Sequence, residues 1–179
     1  MIITEQKPLA ELVELLKGKS KIFLVGCGEC STTCKTGGEP ELRKMKEELE
    51  KQGKVVTGFC IPNAPCLASQ IKMELAKNIP ALKQSEAILV LACGLGTQSV
   101  KDNNRMAQEI YPACNTICGA SMDAQGVFIE KCSMCGTSFV VPHAGKRGRP
   151  PEYCAKECRE ASAALTVLEK WLAPVARRA

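Results

Sequence analysis

The sequence has little of what acid–base catalysis requires. Its only histidine is His143, and no cluster of histidine and carboxylate side chains stands out along the chain. Such catalysis requires a positioned acid and base, and the chain alone offers no obvious pair of that kind. Aromatic residues are also scarce, at 4% of the sequence, so aliphatic side chains and alanine must fill the core.

Long apolar runs are absent as well. No segment holds the roughly 18 consecutive apolar residues that indicate a membrane-spanning helix. The N-terminus lacks the cationic start, apolar centre and cleavage site that are typical of a signal peptide. We therefore expect a cytoplasmic protein with no membrane span.

Excess charge is confined to the tail. Residues 1–131 carry 16 Lys and Arg against 15 Asp and Glu, a net charge of +1, whereas residues 132–179 carry 8 against 4, a net charge of +4. A neutral body does not attract polyanions, so only the tail invites an argument for nucleic-acid binding.

Cysteine, in contrast, is abundant, with 12 residues in a chain of 179. The cytosol keeps thiols reduced, which argues against a disulfide framework. So many thiols in a reducing compartment indicate metal binding or redox chemistry.

Apolar runs of strand length alternate with segments of helical periodicity through the first 130 residues. The pattern predicts helices at 8–17, 39–53, 67–79 and 97–110, and strands at 21–26, 54–60, 86–94 and near the end of 109–119. Such alternation predicts an α/β fold with an open, doubly wound parallel sheet of about four strands. The pattern ends near residue 131, so we expect an α/β domain at 1–130 and a small four-cysteine metal module with a C-terminal helix at 131–179.

Six cysteines fall where the first three predicted strands end, or on the loops that leave those ends. They are Cys27, Cys30, Cys34, Cys60, Cys66 and Cys93. Ligands of open parallel sheets bind outside the carboxyl ends of the strands, and these ends share one edge. We therefore expect the thiols to converge there, beside glycines that let the backbone approach a bulky group and donate N–H groups to its sulfur atoms.

The spacing Cys27-x2-Cys30-x3-Cys34 suits an iron–sulfur cluster, whose ligands are cysteine thiolates. A cubic [4Fe-4S] cluster needs a fourth, remote ligand. Cys66 or Cys93 could supply it, and Cys66 is preferred because its tight loop can reach across. Zinc, a reactive thiol pair and simple buried packing remain open. Dinucleotide binding is disfavoured, because both G-x-G-x-x-S turns end in serine and no acidic residue follows the second strand.

The tail contains a second cysteine pattern, Cys132-x2-Cys135 and Cys154-x3-Cys158, with 18 residues between the pairs. This spacing predicts a zinc-knuckle module, similar to a treble clef, in which four thiolates hold the metal. The module is too small to bury a sufficient core, so metal binding would supply its folding energy. A second iron–sulfur cluster is the alternative.

Three segments together resemble the methylenetetrahydrofolate reductase C-terminal family, the small, MetV-type iron–sulfur subunit that accompanies a flavin subunit in acetogens and related anaerobes. The segments are VGCGECSTTCKTGGEPEL, the later APC, and LVLACGLGTQSV, all within residues 21–129. The resemblance implies that the cluster is bound at Cys27, Cys30, Cys34, Cys66 and Cys93. It assigns no role to Cys60, Cys114 and Cys118. The zinc-type tail departs from the family, whose members end in a different cysteine-rich segment.

The resemblance also implies a function. The chain would be a non-catalytic electron-transfer subunit that forms a hetero-oligomer with a flavin-containing reductase subunit. The alternative is a zinc-stabilised adaptor or nucleic-acid-binding regulator that uses Arg147 and Arg149 of the basic GKRGRPP loop. One short basic patch beside a neutral body argues against nucleic acid as the partner. A thiol-based redox sensor that needs no metal is a third, weaker hypothesis.

Overall fold

The computed structural model of the chain describes residues 1–122, 125, 128–131, 137–140 and 156–161. The chain divides into two units, one of Ile2–Cys118 and one of Met1 with Gly119–Ala179. The boundary predicted between residues 130 and 131 lies at the end of a strand of the second unit, Phe128–Lys131.

Strands and helices alternate along most of the chain. Their order is β1 (Ile2–Gln6), α1 (Leu9–Leu15), β2 (Lys21–Val25), α2 (Cys30–Thr33), α3 (Glu39–Lys51), β3 (Val55–Cys60), α4 (Ala68–Lys77), α5 (Ile79–Gln84), β4 (Ala87–Val90), α6 (Gly94–Asn103), β5 (Glu109–Pro112), β6 (Cys114–Gly119), β7 (Ser121–Met122), β8 (Phe128–Lys131) and β9 (Ser138–Val140).

Four of these strands form a parallel sheet in the order β3-β2-β4-β5. From β2 the chain moves to one side of the sheet to form β3, and then returns past β2 to form β4. Parallel crossovers are right-handed, so this reversal sends the connecting helices to opposite faces. The predicted α/β fold, with a parallel sheet of about four strands, is therefore confirmed.

Side chains of the central strands alternate between two apolar layers. Ile22 and Leu24 pack in the layer that contains the apolar residues of α1 and α3. Phe23 and Val25 pack in the layer that contains those of α4, α5 and α6. Because strand side chains have a period of two, β2 must be apolar at every position, as its sequence KIFLV shows after the first residue. Each buried side chain of this kind contributes roughly 1.5–3 kcal/mol to folding.

The start of α3 shows how sequence positions a helix behind the cysteine-rich loop. Gly38 precedes the helix, and its N–H donates to the Glu41 carboxylate at 3.0 Å. Pro40 occupies the first turn, where no helical N–H bond is needed. Leu42, Met45 and Leu49 then recur at helical spacing and are buried against the sheet.

The structure adds elements that were not predicted, among them α2 and α5, and moves others. The N-terminal strand β1 was not predicted, and it pairs with β6 in a two-stranded sheet. The helix predicted at 97–110 is α6, which begins earlier and ends at Asn103, because Asn104 turns the chain by bonding to the backbone of Met106. That early end frees Glu109–Pro112 to form the fourth parallel strand. The strand predicted near the end of 109–119 is present as β6, but it pairs with β1 and not with the parallel sheet.

The second unit contains an antiparallel sheet in the order β7-β8-β9, and a helical segment at 156–161. Cys158 lies in this segment and is half-buried. The other predicted zinc ligands, Cys132, Cys135 and Cys154, lie outside the described residues, as does the GKRGRPP loop. Within the part of the chain that is described, no helix has the length and apolar character needed to cross a membrane.

Candidate metal centre at the carboxyl edge of the sheet

The four parallel strands end level with one another. Val25 at the end of β2 is the register partner of both Cys60 and Val90, and Val90 is the partner of Pro112. Residues that follow these positions therefore lie along one edge. The connections that leave β2 and β4 diverge to opposite faces, which makes the space between these two strands the expected binding crevice of the fold.

All five cysteines predicted to bind the cluster follow these strand ends. Cys27 comes two residues after β2, and Cys93 comes three residues after β4. Cys30 begins the short helix α2, and Cys34 directly follows it. Cys66 lies on the loop between β3 and α4.

Helix α2 holds two of these thiols one turn apart. The N–H of Cys34 donates to the carbonyl of Cys30 at 2.9 Å. Both sulfur atoms also contact the backbone of Ile2 in β1: the Ile2 N–H donates to Cys30 Sγ at 3.4 Å, and Cys34 Sγ donates to the Ile2 carbonyl at 3.8 Å. The N-terminal strand therefore lies against both thiols and supplies a backbone N–H to one sulfur.

The end of α2 is set by a Schellman motif. The N–H of Thr36 bonds to the carbonyl of Ser31 at 2.8 Å, and the N–H of Lys35 bonds to that of Thr32 at 3.0 Å. Lys35 takes the left-handed conformation that this motif needs, with φ of 55°. A side chain other than glycine is strained there, so the loop has a local cost that the surrounding contacts offset.

Two glycines allow this loop to pack against the sheet. A Cβ on Gly37 would lie 1.9 Å from the carbonyl oxygen of Leu91, and one on Gly26 would lie 2.6 Å from that of Gly37. The N–H of Cys27 donates to this same Gly37 carbonyl at 2.9 Å. These glycines were predicted to make room for a bulky group, but the atoms that approach them are those of the protein itself.

Thiols from three loops lie within electrostatic range at this edge. Burial raises the pKa of the Cys66 thiol although its side chain is exposed, and negative charge on Cys93, Cys27 or Cys30 would raise that pKa further. Cys27 and Cys93 are themselves buried, at 4% and 6% exposure. Cys66 therefore lies within electrostatic range of two buried cysteines and of the first residue of α2.

Cys114, to which the sequence assigned no role, belongs to the same neighbourhood. Burial raises the pKa of its thiol to about 12, a hydrogen bond from the Thr36 side chain opposes the rise, and charge on Cys93, Cys27 or Cys34 would add to it. Its sulfur lies 3.6 Å from the Thr36 carbonyl oxygen. Cys114 follows β5 by two residues, as Cys27 follows β2, so the rule that located the other thiols would have found it if β5 had been placed correctly.

Cys60 ends β3 at this edge, but different groups affect the pKa of its thiol. Burial raises the pKa of Cys60 to about 12, and the Glu74 carboxylate of α4 adds to the rise. Among the described residues, no other thiol contributes to that shift. All six cysteines that the sequence placed at this edge therefore lie there, Cys60 included, and Cys114 joins them. Cys60 differs only in that no other described thiol affects its pKa.

Each of these cysteines is free of disulfides, so its thiol is available as a ligand. Ser31 in α2 is a further sign of a bound group at this site, because its hydroxyl is completely buried and has no hydrogen-bond partner in the described structure. Across the described residues, no three cysteine, histidine or acidic side chains are placed so that they could hold a single metal ion between them.

A scan of protein-family models and a search of curated proteins found no match to this chain. The argument for function therefore depends on the residues of the site.

Proposed function

We propose that this chain is an iron–sulfur electron-transfer subunit that exchanges electrons with a flavin-containing reductase subunit. One observation carries the proposal: the loops that follow all four parallel strands lie at this edge, and each contributes a thiol within electrostatic range of a thiol from another loop. Packing alone does not require thiols from separate segments to gather, whereas a cluster bound by three nearby cysteines and a remote one does.

The ligands proposed for a [4Fe-4S] cluster are Cys27, Cys30 and Cys34 of one loop, with Cys66 or Cys93 as the remote ligand. A cluster of this type supplies one-electron transfer when it is bound. Charge on Cys27 and on Cys93 would affect the pKa of both Cys66 and Cys114, and we call these two residues the central pair of thiols. The N–H that Ile2 donates to Cys30 Sγ is the kind of contact that shifts a cluster's reduction potential.

The surface around the site favours a partner protein. Leu67 and Leu95 directly follow Cys66 and Gly94, and their side chains are 51% and 64% exposed. Large apolar side chains exposed beside an accessible thiol are suited to a protein contact. A partner seated there would bring its own redox group close to the thiols and exclude water from them.

The identity of the partner comes from the sequence resemblance. We propose a complex of the methylenetetrahydrofolate reductase type, working in the one-carbon metabolism of an anaerobe and located in the cytoplasm. The tail is proposed to hold a structural zinc ion at Cys132, Cys135, Cys154 and Cys158, of which only Cys158 lies within the described residues.

The test is redox spectroscopy on the full chain, purified without oxygen. We expect visible absorption that bleaches when dithionite is added and recovers as added oxidised FMN is reduced. Cys30→Ala should remove this absorption, whereas a metal-stabilised adaptor would keep its binding properties and show no absorption in either form. A wild-type chain that has no reducible centre after incubation with iron and sulfide would rule out the proposal.

A further inference from the structure

A pocket of about 390 Å³ lies on the α4–α6 face of the sheet, away from the thiols. It is formed by α4, α5 and the segment that follows α6. Helix α6 begins beside Cys93 at the carboxyl edge and runs back along the sheet, so its end lies toward the amino edge. The pocket is therefore separate from the binding crevice of the fold. Its volume is in the range typical of small-molecule sites.

The inner surface of this pocket is apolar. Leu75 of α4 and Leu82 of α5 form buried parts of the wall, and Ile79 and Met106 complete it with half-exposed side chains. Ile79 is 39% exposed, which is high for isoleucine in a helix that packs on a core. An apolar ligand would cover this surface, and its burial would favour binding.

Two cationic side chains line the pocket without acidic partners. Lys72 and Arg105 both line it and are both exposed. Within the described residues, neither forms an ion pair, whereas Lys77 on the same helix is paired with Glu74 at 2.7 Å. Two unpaired cations beside an apolar pocket are complementary to a ligand that carries negative charge at one end.

The wall of the pocket is fixed by hydrogen bonds before any ligand binds. Asn104 bonds to the backbone of Met106 through both its Oδ1 and its Nδ2, each at 3.3 Å. Gln108 then joins this segment to α5, since its Nε2 donates to the Leu82 carbonyl at 2.6 Å. A wall that is already ordered saves a ligand the cost of ordering it.

We propose that this pocket binds a small amphiphilic acid, whose apolar body fills the space between α4 and α5 and whose anionic head contacts Lys72 and Arg105. The inference uses none of the cysteines, so it stands or falls independently of the iron–sulfur proposal.

Anilinonaphthalene sulfonate is a suitable probe, because it combines an apolar body with one anionic group. Titration of the full chain should give saturable fluorescence with one site at this pocket. Ala76 lines the pocket on α4, and Ala76→Trp should fill it and abolish that site. Ala68→Trp is the matched control, since Ala68 is an exposed alanine at the other end of the same helix. Both variants must keep the thermal midpoint of the wild type, which excludes dye binding to an unfolded chain.

The charge of the ligand is tested separately. Lys72→Gln and Arg105→Gln should each weaken dye binding by about fivefold, as expected for an exposed charge contact. Lys101→Gln removes an equal charge from an exposed position of α6 outside the pocket and should leave binding unchanged. The proposal is wrong if Ala76→Trp binds the dye as the Ala68→Trp control does, or if the uncharged analogue phenylnaphthylamine binds as tightly as the sulfonate.

Discussion

Cys27 follows β2 and Cys60 ends the adjacent parallel strand β3, and the two are almost equally buried, at 4% and 6% exposure, yet different groups affect them. Both belong to the apolar layer that faces α4. Cys27 also lies close enough to Cys66 and Cys114 for its charge to affect their pKa values, whereas Cys60 responds to burial and to Glu74. Burial therefore does not distinguish a candidate ligand from a packed thiol at this edge. The presence of other thiols does.

The largest expected effect is the loss of metal when the two cysteines are exchanged for alanine. Cys27→Ala should lose almost all bound iron, because it removes a member of the central pair of thiols. Cys60→Ala should keep its iron, because its thiol is outside the group. Each change removes one buried sulfur of similar exposure, so in the metal-free state the two variants should lose similar amounts of stability, about 1–2 kcal/mol. Equal iron contents in the two variants would contradict the claim that Cys27, and not Cys60, binds the cluster.

The second prediction concerns thiol reactivity in the metal-free protein. Burial shifts the pKa of Cys60 from 9.0 to about 12, so at neutral pH its thiolate fraction is roughly a thousandfold lower than that of an unperturbed thiol. Iodoacetamide should therefore label the exposed Cys66 first and leave Cys60 unmodified, as mass spectrometry of peptides would show. Labelling of Cys60 at the rate of Cys66 would contradict the assigned burial.

The same shift sets the sign of a stability change with pH. The folded state holds the Cys60 proton at a pH at which the unfolded chain has lost it, so the contribution of this group to the free energy of unfolding falls as pH rises from 9.0 to about 12. In Cys60→Ala this part of the decline should disappear. Guanidinium unfolding curves at several pH values would measure the difference between the two proteins.

The third prediction separates the geometry of the Cys27 loop from its chemistry. Gly37→Ala would place a Cβ 1.9 Å from the Leu91 carbonyl oxygen, so it should reduce the free energy of unfolding by about 3 kcal/mol or more. Gly38→Ala meets no backbone atom, only the Thr32 hydroxyl at 2.9 Å and the Glu41 carboxylate at 3.0 Å, and should have a smaller effect. The Thr32 hydroxyl is held by its hydrogen bond to the Cys27 carbonyl, so the effect should not vanish. Denaturant unfolding measures both. A harmless Gly37→Ala would show that the loop does not pack against β4 as described.

The smallest effect is expected at the end of α2. Helix α3 ends in the same Schellman arrangement as α2, but Gly53, with φ of 76°, occupies the position that Lys35 occupies after α2. Lys35→Gly should stabilise the protein by about 0.5–1 kcal/mol, and Gly53→Lys should destabilise it by a similar amount. Thermal unfolding of the two variants compares these sites directly. A loss of stability in Lys35→Gly would mean that the lysine side chain makes a contact that outweighs the strain.

Periodicity was sufficient to predict the parallel sheet, because β2 and β4 are apolar runs of strand length and each is followed by a helical segment. The rule that strand ends share an edge then predicted where Cys27 and Cys93 would meet. It missed Cys114, because Asn103 and Asn104 end α6 through side-chain contacts that the apolar pattern does not reveal. It also placed Cys60 at this edge, where the structure has it, but a sequence does not show which groups will surround a buried thiol at a strand end.

The contact of Ile2 with two sulfur atoms could not be predicted from the sequence, for a different reason. Strand β1 pairs with β6, more than a hundred residues away, and neither strand has an apolar pattern that indicates the other. Pairing over such a separation is decided by tertiary packing and not by local propensity.

The most direct test of the iron–sulfur proposal is the content of iron, acid-labile sulfide and zinc in the full chain, purified without oxygen. A [4Fe-4S] cluster at the sheet edge with a zinc ion in the tail predicts about four iron, about four sulfide and about one zinc per chain. Zinc alone, with neither iron nor sulfide, would contradict the electron-transfer function and leave the adaptor hypothesis, in which the basic GKRGRPP loop of the tail contacts the partner.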